Sequence, residues 1–300
     1  MTHLQAWARP RRILLATDLT DLDYLLHASM AQAKTCQAEL LIVHVLPDPG
    51  HFPIDPTQMV YCEPDRMREH AQRGLTDAVM LATAEGITCS SLLLYGDTVN
   101  EIAKTVTQWK ASRLVAGSHG TTKFHLQILG SVAASLFHRV EVPILAIGPN
   151  SVRDQEPIGK CMRIVVGISL DSHSERLAKF ALSLAEQHTA ALSLVHVIPA
   201  ISRAHPSAAQ VTECSQKMLQ KLLGRKKQGM CSAVCEVLQG QPVDAIVAYA
   251  RQSSATLVLL GASAHSAFNE HFIPGTAYRV LCESPCPVLV LKHHLDRREA

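Results

Sequence analysis

Short runs of apolar residues, many of them β-branched, alternate with longer amphipathic stretches along the whole chain. The runs are almost continuously apolar, which is typical of parallel strands that helices cover on both faces. Strands are predicted near 12–17, 40–46, 87–95, 113–117, 143–147, 163–168, 192–198, 231–238, 256–261 and 287–291. Because strands and helices alternate, the pattern predicts a doubly wound α/β fold.

Two of the amphipathic stretches have helix signals of their own. A helix is expected over 22–36, and apolar residues between 177 and 185 recur at i, i+4, i+7 and i+8, on one helical face. Ser172 and Glu175 have the spacing of a capping box, which predicts that the second helix begins at that point.

The order of strands and helices occurs twice. "RRILLATDL" (11–19) resembles "MRIVVGISL" (162–170), and "ELLIVHVLP" (39–47) resembles "LSLVHVIP" (192–199). The later strands repeat in the same order, and the first copy is longer in its middle part. An internal repeat of this length indicates two copies of one domain.

The repeat predicts two tandem domains, 1–149 and 161–293, each a five-stranded parallel sheet flanked by helices and joined by the linker 150–160. The length of 300 residues suits two domains of about 150. The last strands, "PILAI" (143–147) and "PVLVL" (287–291), would form exposed apolar edges, which proteins usually pair or cover. The two copies are therefore expected to pair with each other as an intramolecular pseudo-dimer, and further self-association is left open.

Composition and charge narrow the classes of partner. The chain is 47% hydrophobic and 18% charged with a net charge of +2, and its Lys and Arg runs are short. Neither a nucleic-acid surface nor a membrane patch is expected. The first residues lack the apolar segment of a signal peptide, and no apolar stretch reaches about 18 residues, so a cytoplasmic protein is expected.

Nine cysteines lack CxxC spacing. Cys231 and Cys235, and likewise Cys282 and Cys286, are four residues apart, which suits a metal only on a helix. Because both pairs lie at the edges of strand-like runs, buried or free thiols are expected rather than a metal site. His44 and His196 end equivalent apolar strands, so they are expected to pack or to bond the backbone.

The stretch "LVAGSHGTTKFHLQILGSVAASL" (114–136) carries the strongest functional signal. It places Gly117 and Gly120 after the fourth strand and Gly130-Ser131 at the start of a helix. Ligands of open α/β sheets bind at the carboxyl ends of the strands, and a helix N-terminus offers unpaired N–H groups to phosphate. Asp18, after the first strand, can accept a hydrogen bond from a base or a ribose. Ordinary turns would explain the bare glycine spacing equally well.

The spacing G-x2-G-x9-G-[ST], with "TD" after the first strand and "HV" ending the second, resembles the universal stress protein family over both copies. The resemblance implies a nucleotide-binding α-hydrolase-like fold and an ATP site in the first copy, with or without Mg²⁺. It places the ligand on six residues: Asp18 and Val45 at adenine, Gly117 near ribose, and Gly120, Gly130 and Ser131 at the phosphates.

The second copy departs from this pattern. Ser169 aligns with Asp18, and an ungapped alignment puts Ala264 at the second glycine and Pro274 opposite Gly130. A one-residue gap would instead bring Gly275-Thr276 into register, but the downstream sequence favours the ungapped choice. Because proline has no N–H for a phosphate, the second copy is expected to bind ATP weakly or not at all.

Three functions remain open at this point. The first is an ATP-binding regulatory protein that acts on an unidentified protein partner. The second is a slow ATP hydrolase or phosphoryl-transfer enzyme, and the third is a scaffold with a structural nucleotide or none. The sequence has no Walker motif and no second acidic cluster for magnesium, which favours the regulator and leaves catalysis uncertain.

Overall fold

The computed structural model describes residues 3–48, 64–117, 130–148, 151, 162–200, 208–224, 232–262 and 275–292. The strands are β1 Arg12–Ala16, β2 Glu39–Leu46, β3 Cys89–Tyr95, β4 Arg113–Gly117, β5 Ile144–Ile147, β6 Arg163–Gly167, β7 Ala191–Ile198, β8 Ala233–Gln239, β9 Leu257–Ala262 and β10 Val288–Lys292. The helices are α1 His3–Ala8, α2 Leu22–Cys36, α3 Pro64–Ala84, α4 Thr98–Gln108, α5 Ser131–Arg139, α6 Ser174–His188, α7 Ala208–Leu223, α8 Pro242–Gln252 and α9 Thr276–Glu283.

The strands form one ten-stranded sheet in the order β3-β2-β1-β4-β5-β10-β9-β6-β7-β8. Each half is a parallel five-stranded sheet, which confirms the predicted fold class. The halves meet where β5 and β10 pair antiparallel, with Leu145 opposite Leu289. The expected pairing of the two last strands is therefore present.

Helices cover both faces of the sheet, and successive strand residues alternate between them. Ile13 and Leu15 contribute to a core that also contains buried residues of α2, α3, α6 and α7, and this core runs through both halves. Leu14 and Ala16 point to the other face, where α4 and α5 pack. Apolar residues on both sides of β1 are what the continuous apolar run predicts.

The predicted strands lie within two residues of the observed ones, and the helix predicted over 22–36 has the bounds of α2. The capping box is wrong. Helix α6 begins at Ser174 because the Asp171 carboxylate holds the turn: its Oδ1 accepts hydrogen bonds from His173 N at 2.9 Å and from Ser174 Oγ at 3.1 Å. The predicted linker, apart from residue 151, lies outside the described residues.

A buried arginine joins helix α1 to the sheet. Arg113, at the start of β4, donates to Gln32 Oε1 at 2.9 Å and to the carbonyl of Trp7 at 2.7 Å. The Trp7 ring in turn lies 5.8 Å from the guanidinium of Arg176, on α6 of the second half. The first helix of one half is thus packed against a helix of the other.

Among the residues that the structure describes, no helix has the length and apolar character that crossing a membrane requires.

Candidate functional site

A cavity of about 300 Å³ opens at the carboxyl ends of the first half's strands. It brings together five of the six predicted site residues: Asp18, Val45, Gly117, Gly130 and Ser131. The sixth, Gly120, lies outside the described residues. Residues from the ends of β1, β2 and β4 and from the start of α5 meet here because carboxyl ends of parallel strands share one edge of the sheet.

Asp18 lies in a tight turn that directs its carboxylate. Its Oδ1 accepts from Thr20 N at 2.9 Å and from Thr20 Oγ1 at 2.6 Å. Between them Leu19 adopts a left-handed φ of 71°, which is uncommon for a residue with a branched side chain. The turn thereby holds an exposed carboxylate at the cavity wall.

The histidines two residues before the ends of β2 and β7 bond the backbone. His44 Nδ1 lies 2.9 Å from the carbonyl of Thr17, and His196 Nδ1 lies 2.7 Å from that of Ile168. Because a carbonyl only accepts, the Nδ1 atom carries the proton in each ring. This confirms the expected backbone-bonding role, which ties the end of the first strand of each copy to its neighbour.

The sequence analysis gave no role to three polar residues of the cavity wall: Thr17, which is the threonine of the "TD" pair, Asp21 and Thr98. Thr17 Oγ1 donates to Asp21 Oδ1 at 2.7 Å and accepts from Leu19 N at 2.9 Å. Burial raises the pKa of Asp21 to about 6, against the lowering effect of the Thr17 hydrogen bond. In the sequence, Asp21 precedes an amphipathic helix and so has the signal of a cap.

Helix α5 presents its N-terminus to the same cavity. Gly130 is its N-cap, with φ −58° and ψ 144°, and has no side chain to bond the first-turn N–H groups. The first turn carries no acidic residue, and Ser131 is exposed. First-turn N–H groups that no cap side chain bonds, together with the positive end of the helix dipole, make this wall suited to an anion.

The second half contains a cavity of nearly the same size, about 290 Å³, at the equivalent strand ends. Gly261, Val197 and His196 correspond to Gly117, Val45 and His44. Ser169 replaces Asp18, and its hydroxyl donates to Asp171 Oδ2 at 2.6 Å. The two cavities thus share a shape but differ in their polar walls.

The expectation that Pro274 stands in for Gly130 at a helix N-terminus is wrong. Gly275 is the N-cap of α9, with φ −61° and ψ 163°, and Thr276 is its first residue. Helix α9 has 8 residues and α5 has 9, so α9 begins one residue later while its body keeps the ungapped register. The second copy therefore retains a glycine and a hydroxyl residue at this helix start.

Within the described ranges, no three His, Cys, Asp or Glu side chains gather where they could hold a metal ion. Cys282 lies in α9 rather than at a strand edge, and Cys286 follows beyond the helix end. Both are buried, and burial raises the pKa of the Cys286 thiol to about 12. Cys231 lies outside the described residues.

Fold and cavities together define a tandem pair of doubly wound α/β domains, each with a ligand-sized cavity at the carboxyl ends of its strands. The model of the universal stress protein family matches residues 10–148 and 161–292. The chain therefore belongs to that family.

Individual relatives agree with this assignment. The chain is 25% identical over 149 residues to a universal stress protein of Methanocaldococcus jannaschii, covering 47% of this chain and 86% of the relative. It is 25% identical over 134 residues to one of Thermus aquaticus, covering 43% and 97%. The crystal structure of a universal stress protein from Archaeoglobus fulgidus has the same fold, with TM-score 0.67, 23% identity, and coverage of 95% of this chain and 99% of that one.

Proposed function

We propose that the protein is an ATP-binding regulatory protein with its nucleotide in the first cavity. One observation carries the proposal: a single cavity is lined both by the Asp18 carboxylate and by the uncapped, acid-free start of α5. A carboxylate accepts from an amino or hydroxyl group, whereas a helix N-terminus binds an anion. A nucleotide has both kinds of group in one molecule.

The proposed roles follow the resemblance given above. Asp18 and the main chain of Val45 bind adenine, and Gly117 lies near the ribose. Gly130 and Ser131, together with Gly120 in the loop, bind the phosphates, and any Mg²⁺ arrives with them. ATP-bound and empty protein then present different surfaces to a protein partner.

One nucleotide per chain is part of the proposal. In the second cavity the position of Asp18 is occupied by a serine, whose hydroxyl donates to Asp171 Oδ2, so no carboxylate stands at that position. Because Gly275 and Thr276 are retained at the helix start, the difference among the described residues lies in the base-binding wall rather than at that helix start.

A matched pair of proline substitutions tests this assignment. The φ of Gly130, −58°, and that of Gly275, −61°, both suit proline, so each change removes one N–H with little backbone strain. Gly130→Pro is expected to weaken ATP binding at least about tenfold, because a hydrogen bond to a charged group contributes about 1.5–3 kcal/mol. Gly275→Pro is expected to leave the affinity unchanged.

Isothermal titration calorimetry with ATP measures both affinity and stoichiometry, and circular dichroism shows that the variants are folded. A stoichiometry near one is expected. Equal affinity in wild type and a folded Gly130→Pro variant, or a loss caused by Gly275→Pro instead, would contradict the assignment to the first cavity.

A further inference from the structure

Two strands lie at the ends of the ten-stranded sheet, β3 in the first half and β8 in the second. Among the described residues neither has a strand partner on its outer side, and no residue of either strand is buried. Unpaired N–H and C=O groups along such an edge are a template for a further strand, so proteins usually protect them. Comparing the two edges shows which of them this chain protects.

The backbone hydrogen bonds to β2 determine which groups of β3 point outward. At one end of the strand, the carbonyl of Thr88 accepts from Leu40 N at 2.9 Å. At the other end, Gly96 N donates to the carbonyl of Leu46 at 3.0 Å. Because the direction of these groups alternates along a strand, even-numbered residues bond β2 and odd-numbered residues face outward. The outward N–H and C=O groups are those of Cys89, Ser91, Leu93 and Tyr95.

The edge at β8 has two protections. Glu236 is the fourth of its seven residues, and a charge on an edge strand opposes pairing. The carbonyl of Cys235 already accepts from Gln216 Nε2, on α7, at 2.9 Å. β3 has neither: its fourth residue is Leu92, its sequence CSSLLLY contains no charge and no proline, and within the described ranges no side chain bonds its outward backbone groups.

The β3 edge is complementary to a second copy of itself. If two copies run antiparallel about a two-fold axis at Leu92, all seven residues are paired. Ser91 then lies opposite Leu93, and Cys89 opposite Tyr95, in hydrogen-bonded pairs that use every outward N–H and C=O. Leu92 meets its own copy in a non-hydrogen-bonded pair, with Cβ atoms about 5 Å apart. Its side chain, 41% exposed in one chain, is covered by this contact.

We propose that two copies of this chain form a dimer by pairing their β3 strands antiparallel. The same register on β8 places Glu236 opposite its own copy, and like charges directly opposite each other destabilise a strand pair. Pairing of β3 with β8 of the next copy does not close and leads to filaments, whereas β3 with β3 closes as a dimer. The inference does not depend on the nucleotide, so its failure leaves the proposed function untouched.

Sedimentation velocity of the full-length, nucleotide-free protein over a wide range of concentration tests the dimer. Wild type is expected to form dimers and nothing larger. Leu92→Glu gives β3 the charge that β8 carries, so it is expected to stay monomeric at concentrations where wild type is dimeric. The matched control is Val234→Glu, because Val234 is 43% exposed on β8, and this variant is expected to dimerise as wild type does.

Disulfide cross-linking tests the register. Leu92→Cys places two thiols across the axis in a pair with Cα atoms about 4.5 Å apart, within the range for a disulfide. Mild oxidation is expected to give a linked dimer, and mass spectrometry identifies the two introduced thiols as its link. The controls are wild type, with nine cysteines of its own, and Val234→Cys; neither is expected to give a comparable yield of linked dimer.

Three results would overturn the proposal. Wild type could remain monomeric at all concentrations, or a folded Leu92→Glu variant could dimerise as wild type does, which would place the contact elsewhere. Wild type could also grow into larger species with concentration, as pairing of β3 with β8 requires. Melting temperatures show whether Leu92→Glu is folded; if it is not, the yield of cross-linked Leu92→Cys against Val234→Cys decides the question.

Discussion

Thr17, which directly follows β1, takes part in several hydrogen bonds. Its hydroxyl donates to Asp21 and accepts from Leu19 N, while its carbonyl accepts from His44. In the second half Ile168 keeps only the carbonyl bond to its histidine, and Asp171 holds the turn instead. At the residue scale, different polar side chains thus stabilise the equivalent turn in the two halves.

The buried carboxylate of Asp21 predicts an unusual dependence of stability on pH. Its pKa is raised on folding from 3.8 to about 6, so the folded protein holds this proton more tightly than the unfolded chain. The stabilisation is present below pH 3.8 and lost as the pH rises to about 6, where the ionised group costs about 2–3 kcal/mol. Asp21→Asn is therefore expected to raise the melting temperature by several degrees at pH 7.5 and to change it little at pH 4.

Asp23→Asn is the control, since Asp23 is an exposed acid in the first turn of the same helix. It is expected to give no comparable gain at pH 7.5. Identical melting temperatures for wild type and Asp21→Asn at both pH values would show that the carboxylate is not held as the structure indicates.

The residue scale also shows how far the sequence could predict the candidate site. Asp18, Gly117 and Gly130 could be placed together because each follows a strand or precedes a helix, and strand ends share an edge. Asp21 could not, because the same signal, an acid before a helix, describes both a capping side chain and one turned toward a cavity. Only side-chain direction distinguishes the two.

At the scale of elements, the strands were predictable because helices on both faces impose continuous apolar runs. Helix starts were less so. The sequence predicts a capping box of Ser172 and Glu175, but in the structure the Asp171 carboxylate accepts the hydrogen bonds at this turn. The body of α9 keeps the ungapped register, but its N-cap lies one residue later than that register predicts. A sequence alignment sets the register and the N-cap with a single choice, so it could not predict this difference.

The antiparallel pairing of β5 with β10 predicts energetic coupling between the halves. Leu145 and Leu289 lie opposite each other, and both are fully buried in the core that the halves share. Each change to alanine is expected to cost about 2–5 kcal/mol, and the double variant to deviate from additivity by about 0.5–3 kcal/mol. Urea denaturation of the four proteins measures this coupling.

Leu145→Ala combined with Leu41→Ala is the control for this cycle. Leu41 lies on β2, which β1 and β4 separate from β5, and it packs on the opposite face. This pair is expected to be additive within about 0.5 kcal/mol. An additive Leu145 and Leu289 pair would mean that the halves meet without mutual stabilisation.

At the scale of the whole molecule, contacts between the halves are distributed over the sheet and beyond it. One core runs through both halves, and α1 of the first half packs on α6 of the second. Lys292 of the second half donates through Nζ to the carbonyl of His138 at 2.6 Å, and the same Nζ lies 3.0 Å from Glu141 Oε1, both in the first half. Burial and the charge of Arg113, in the first half, lower the pKa of His188, at the end of α6 in the second half, to about 4. The two halves therefore also interact electrostatically. These contacts predict that the two halves unfold as one cooperative unit.

Two buried thiols can test whether the two halves unfold together. Cys36 on α2 and Cys282 on α9 lie in different halves and are each almost fully buried, so they react with a thiol reagent only when their half unfolds. If the halves unfold together, labelling followed by mass spectrometry gives both thiols the same urea midpoint. Leu14→Ala, in a core cluster of the first half alone, is expected to lower both midpoints equally, and Val258→Ala in the second half to do the same. Protection of Cys282 at urea concentrations that expose Cys36 would instead mean that the halves unfold separately, so that nucleotide binding in the first cavity could stabilise only its own half.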